Sequence, residues 1–156
     1  MSRTVTRFTT GIVAAGLALA VSACSPVLSM KPYASSDGAK VSWGEGVNDV
    51  RGENLIILSS EQGGEGRLVG GLTNTTDERV TVTFGFVEGE PQQVRIDPRS
   101  TVLLDGSQER DVLLVDVPVA PGSTASMVFE TPTLGAVTLP IPVLDGTLSE
   151  YANLVP

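Results

Sequence analysis

The sequence predicts an all-β protein, an antiparallel β-sandwich, and three observations lead there. Two runs alternate apolar and polar residues with period two, turn-forming residues fall at short intervals between apolar runs, and no window sustains an apolar 3.6-residue period. The sandwich occupies residues 39–156, behind an N-terminal signal over 1–23 and a tether over 24–38.

The leading segment has Arg3 and Arg7, then an apolar run from Gly11 to Ala20, then Val21-Ser22-Ala23-Cys24 with the chain's single cysteine. A cationic start holds this end at an anionic inner surface while a short greasy stretch enters an export channel. Spanning a bilayer takes about 20 apolar residues, and this run is shorter, so cleavage after Ala23 is expected. The cassette Leu19-Ala20-Val21-Ser22-Ala23-Cys24 resembles the bacterial lipoprotein signal. That resemblance implies a diacylglycerol thioether at Cys24, and two acyl chains hold a protein on a membrane where one is marginal. The expected location is the cell membrane, lipid-anchored, on the extracytoplasmic face. Residues Ser25 to about Ser36 mix Ser, Pro and Lys without a period, which suits an extended tether.

The strands then follow in order. Lys40 to Trp43 opens the domain, and Leu55-Ile56-Ile57-Leu58, within a strand Leu55 to Ser59, does not alternate, so both of its faces should be covered. Leu68 to Asn74 comes next, then Val80 to Phe86, whose Val80, Val82, Phe84 and Phe86 share one buried face. Further strands are expected at Gln93 to Ile96, Thr101 to Leu104, Val112 to Val117, Thr124 to Phe129 (Ala125, Met127 and Phe129 inward) and Ala136 to Val143. In the last, Pro140 and Pro142 remove two N–H groups from one side, which marks an edge strand. Asn74 to Asp77, Asp97-Pro98, Asp105-Gly106, Pro121-Gly122 and Asp145-Gly146 supply the turns. The tail from Leu148 to Leu154 is the best place for a short helix.

From Leu68 to Val143 the order of segments resembles the small periplasmic copper-chaperone domains called PCuAC, which are cupredoxin- or immunoglobulin-like sandwiches. The residues that carry it are Leu68 to Asn74, Val80 to Phe86, Val117-Pro118-Val119-Ala120-Pro121-Gly122-Ser123, and Val128-Phe129-Glu130 leading into Gly135 to Val143. The chain also resembles the Gly- and Val-rich lipoproteins of actinobacteria. In the family the resemblance implies a copper site of histidine imidazoles and methionine thioethers, soft ligands suited to Cu(I). This chain has no histidine. Met1 goes with the signal, Met30 lies in the tether and Met127 falls at an inward strand position, so no family site residue carries over.

Charge and composition exclude more. The signal holds two of the ten basic residues and none of the eighteen acidic ones, leaving eight against eighteen and a formal net charge of −10. Such a surface repels nucleic acid, and the arginines are scattered singly, with no basic stripe. Without histidine the chain lacks the usual general base and the centre of a Ser-His-Asp triad. Asp105, Glu109 and Asp111, with Asp97, offer hard oxygen ligands for Ca²⁺ but lack calcium-loop spacing, and read as an exposed acidic turn. Glu61 to Gly66 is glycine-rich, but its glutamates would repel phosphate, and it reads as a mobile loop. Asn74-Thr75-Thr76 reads as a turn and not a glycan acceptor, and Trp43 and Tyr33 read as packing against the sandwich before a ligand groove. No catalytic residue, metal site or cofactor is expected. The functional expectation is a non-catalytic binding or interaction module with a partner protein in the envelope. The alternatives are a metal-handling module, copper-chaperone-like or Ca²⁺-binding, and an envelope hydrolase.

Overall fold

The computed structural model describes residues 36–44, 49–107 and 110–156. Cys24, Ala23, Met30, Tyr33, the signal and nearly all of the tether lie outside the described residues, as does Glu109. The described chain is all strand: β1 (Ala39–Trp43), β2 (Val50–Ser59), β3 (Gly66–Asn74), β4 (Val80–Phe86), β5 (Gln92–Ile96), β6 (Ser100–Leu104), β7 (Leu113–Leu114), β8 (Thr124–Thr131) and β9 (Gly135–Leu144). Neighbours follow the order β5-β4-β8-β9-β2-β3-β6, with β1 on β2 and β7 on β3. Pairing is antiparallel except where β9 meets β2 in parallel, Ile57 opposite Val143 and Leu58 opposite Leu144. The sheet therefore curls into a nearly closed, barrel-like sandwich whose two ends, β5 and β6, are joined only by the Asp97-Pro98-Arg99 turn.

The alternating runs pack as their pattern requires. Val82, Phe84, Ala125, Met127 and Phe129 are buried in the main core, and the Phe84 and Phe129 rings stack with centroids 5.6 Å apart. Trp43 is buried in that core, which settles it as packing. Leu55 and Ile57 point into the same core, while Ile56 and Leu58 point the other way into a second cluster under Leu144, Tyr151, Leu154 and Val155. The C-terminal segment thus covers the second face of β2. Its hydrogen bonds, Ala152 N to Leu148 O and Val155 N to Tyr151 O among them, make consecutive turns and no helix. The expected short helix is corrected: the bonds switch between three- and four-residue spacing and do not run on as a ladder, and apolar contact with β2 sets the segment's shape.

Two further expectations need revision. β2 begins at Val50, five residues earlier than its apolar run, because a bulge at Asn54 (φ 53°) interrupts the alternation. Val112 to Val117 is a strand only over Leu113–Leu114, since Asp116 turns the chain at φ 54° and Val117 bonds back to the loop before β3. That loop is no mobile segment. Ser59 Oγ donates to the carbonyls of Glu61 and Glu65, Gly63 N donates to Val117 O, and Val117 N donates to Gly64 O.

The proline-bearing β9 lies at an edge along Gly135–Pro142, paired only with β8. Val143 N donates to Ser123 O on the β8 side, so alternation turns the nitrogens of Pro140 and Pro142 outward. This edge offers no row of donors to another strand.

Candidate functional site

A cleft of about 350 Å³ lies at the seam where the sheet fails to close. Gln92, Gln93, Val94 and Arg95 of β5 all line it. Successive strand residues point to opposite faces, so four in a row can border one cavity only along the strand's edge, where its unpaired backbone groups lie. From β6 come Val102 and Leu104, two residues apart and so on one face, and with Val112 they form an apolar floor. Arg110 and Asp111 complete the lining.

The segment behind Arg110 is held firmly. Leu68 N donates to Val112 O at 3.0 Å, and β7 pairs Leu114 with Gly66 and Leu113 with Arg67. Gly66 permits this approach, since a Cβ there would stand 2.6 Å from the Val117 side chain. Arg67 Nε donates to Asp111 Oδ1 at 2.7 Å and a terminal nitrogen to Oδ2 at 3.2 Å, a two-pronged pair that also fixes the segment. Another Arg67 nitrogen donates to Leu154 O, tying the C-terminal turns to the same arginine.

Charge is distributed unevenly. Among the described residues Lys40, Arg51, Arg67, Arg79 and Arg99 each lie within ion-pair distance of a carboxylate. Arg95 and Arg110 do not, and both line the cleft. Its one carboxylate, Asp111, is already engaged by Arg67. Two arginines lining one cleft beside an apolar surface can hold a carboxylate or another oxyanion.

Among the described residues, the acidic side chains singled out from the sequence are engaged separately. Asp97 pairs with Arg79 at 2.7 Å, Asp111 with Arg67, and Asp105 accepts from Ser107 N at 3.0 Å. Its bonds with Ser107, with a smaller contribution from Arg110, hold the Asp105 carboxyl below the usual carboxylate value. Among the described residues no three His, Cys, Asp or Glu side chains gather as a metal cluster. Asn74, first residue of the glycan-like triplet, is completely buried as the last residue of β3, and the turn begins only after it, at Thr75. What sequence reasoning missed is the pair Arg95 and Arg110. They are ordinary isolated arginines until topology makes β5 a strand with one side open.

No protein-family model matches the chain, and no curated protein matches it. Among solved structures it is similar to PCuAC domains. The copper-bound PCuAC domain from PmoF2 aligns with TM-score 0.50 and 19% identity over 67% of this chain and 98% of that one. The apo PmoF2 PCuAC domain aligns with TM-score 0.51 and 18% identity over 69% and 98%. The resemblance read from the strand order thus holds for the fold. A copper ion does not fit the described residues: the sequence has no imidazole, and the one described thioether, Met127, is fully buried between aromatic and aliphatic neighbours in the core.

Proposed function

We propose that this chain is a lipid-anchored, extracytoplasmic binding module without catalytic machinery, and that it grips an anionic group of an envelope partner through Arg95 and Arg110. The observation that carries this reading is the pairing pattern: among the described residues every other cation lies within ion-pair distance of a carboxylate, and the two that lie within that distance of none line one cleft. The anchor at Cys24, after cleavage behind Ala23, rests on the signal-like sequence. It would keep the cleft within tether's reach of the membrane.

Two experiments test this. Metabolic labelling with a palmitate analogue should mark the parent and leave Cys24→Ser unmarked; label on both, or on neither, defeats the anchor. A photo-reactive residue at Gln93, in intact cells, should give a discrete adduct that Arg110→Gln abolishes, while the same probe at Ser149 gives none. An adduct indifferent to Arg110→Gln would reject the cleft as the binding site.

A metal-handling role draws support from the fold shared with a copper-bound domain. Native mass spectrometry of the full chain with Cu(I) and with Ca²⁺ decides it. A stoichiometric adduct at micromolar metal would favour that role over the binding module.

A further inference from the structure

The molecule treats its open strand edges differently. On β9 the outward side has lost two donors to Pro140 and Pro142. On β5, whose only strand partner is β4, no proline falls between Gln92 and Ile96, so no N–H is lost there, and only Ile96 O is engaged, by the Asn74 amide at the closed end. Unpaired backbone rows are templates for another strand, and proteins ordinarily block them. Here the unblocked row borders a cleft, with Val102, Leu104 and Val112 below and Arg95 and Arg110 beside it.

We infer that the seam takes an extended acidic peptide, which adds as a strand to the free edge of β5 and sets its carboxylates against Arg95 and Arg110. The inference rests on the anionic-ligand reading above and names the ligand class. Backbone pairing with β5 supplies register, and alternate side chains of the added strand face either the apolar floor or solvent. The arginines select for acid and against a second copy of β5, whose own Arg95 would meet theirs. A peptide is favoured over a small carboxylate because the open edge of β5 turns the N–H and C=O of alternate residues outward, a spaced set that a single carboxylate cannot satisfy.

The test uses the full chain in detergent micelles and an acetylated, amidated octapeptide of alternating Glu and Val, followed by fluorescence anisotropy. Arg95→Gln and Arg110→Gln should each weaken binding by about tenfold or more, with unchanged circular dichroism. The Lys-Val counterpart should not bind. Two further peptides carry N-methyl groups on alternate residues, one set along each edge. Strand addition predicts that one set abolishes binding and the other leaves it near the parent value. Equal tolerance of both sets, with the arginine dependence intact, overturns strand addition but leaves an anionic-ligand cleft. Binding indifferent to both arginines overturns the cleft itself. Sedimentation showing a dimer that Arg95→Gln strengthens and the peptide leaves unchanged would identify a second copy as the occupant and reject the peptide.

Discussion

Asn74→Ala should destabilise this domain as much as a core truncation of the same size, although the side chain it removes is polar. The side chain is completely buried at the end of β3, yet all of its polar atoms are matched. Its Nδ2 donates to the carbonyls of Glu78 at 2.7 Å and Asp97 at 3.1 Å, with Ile96 O at 3.3 Å sharing a hydrogen. Its Oδ1 accepts from Thr76 N at 3.0 Å and Thr76 Oγ1 at 2.7 Å. One amide thus fastens the β3–β4 turn to the β5–β6 turn, which is the closed end of the seam. At about 1 kcal/mol net per bond the four main bonds amount to about 4 kcal/mol. Glu78 and Asp97 are exposed, so water re-satisfies part of what is lost, and about 3 kcal/mol is expected. The assay is equilibrium urea unfolding followed by fluorescence of Trp43, the only tryptophan. Asn74→Asp gives a second reading. It replaces the donor with an oxygen facing carbonyls, and burial favours the uncharged acid, so its folded-state pKa is raised. Its deficit relative to the parent should grow as pH rises through that raised value and shrink in acid. An Ala variant within about 0.5 kcal/mol of the parent, or an Asp deficit flat with pH, would refute the argument.

Gly70→Ala should cost about 2 kcal/mol in the same assay, because φ is +138° and the new Cβ would meet Asn54 O at 2.7 Å, backbone that cannot step aside. Tyr151→Ala should cost about 2 kcal/mol by uncovering Ile56 and Leu58. Burial, with Asp37 and Glu150 adding to it, pushes the Tyr151 hydroxyl up, so its contribution is complete below the ordinary tyrosine value and lost as pH rises through the raised one; ultraviolet difference titration should show a late-titrating tyrosine. In acid the sign reverses. Lys40 beside Glu53, Arg99 beside Asp77, Ser107 beside Asp105 and Thr147 beside Asp145 hold four carboxyls below their ordinary values. Stability they confer is present above about pH 4 and lost as pH falls through the depressed values, so Tm should stay level from neutrality to about pH 5 and then decline.

Much of the fold was legible because burial on one face writes itself as alternation. Val80 to Phe86 matches β4 residue for residue, and Leu55 to Leu58 signalled two covered faces because no polar residue interrupts it. Legibility failed where backbone bonds replace side-chain pattern. The first half of β2 carries Arg51, Glu53 and Asn54, with a bulge that shifts the register, and hides among turn-like residues. Glu61 to Gly66 has the composition of a free loop, but Val117, far along the chain, fastens it. The seam was unreadable for a related reason. Which strands end a sheet is decided by long-range pairing, and Arg95 and Arg110 become a pair only through it.

The crossing of β9 from β8 to β2 sets the order in which this chain completes itself. Ile57 waits for Val143, more than eighty residues further along, so the two halves of the sheet are stitched by β9. Such distant pairing slows folding, since loop-closure entropy is lost before the contact rewards it. Until β9 docks, β2 and β8 each keep one more open edge, so the intermediate on the way to this fold is two unlinked half-sheets.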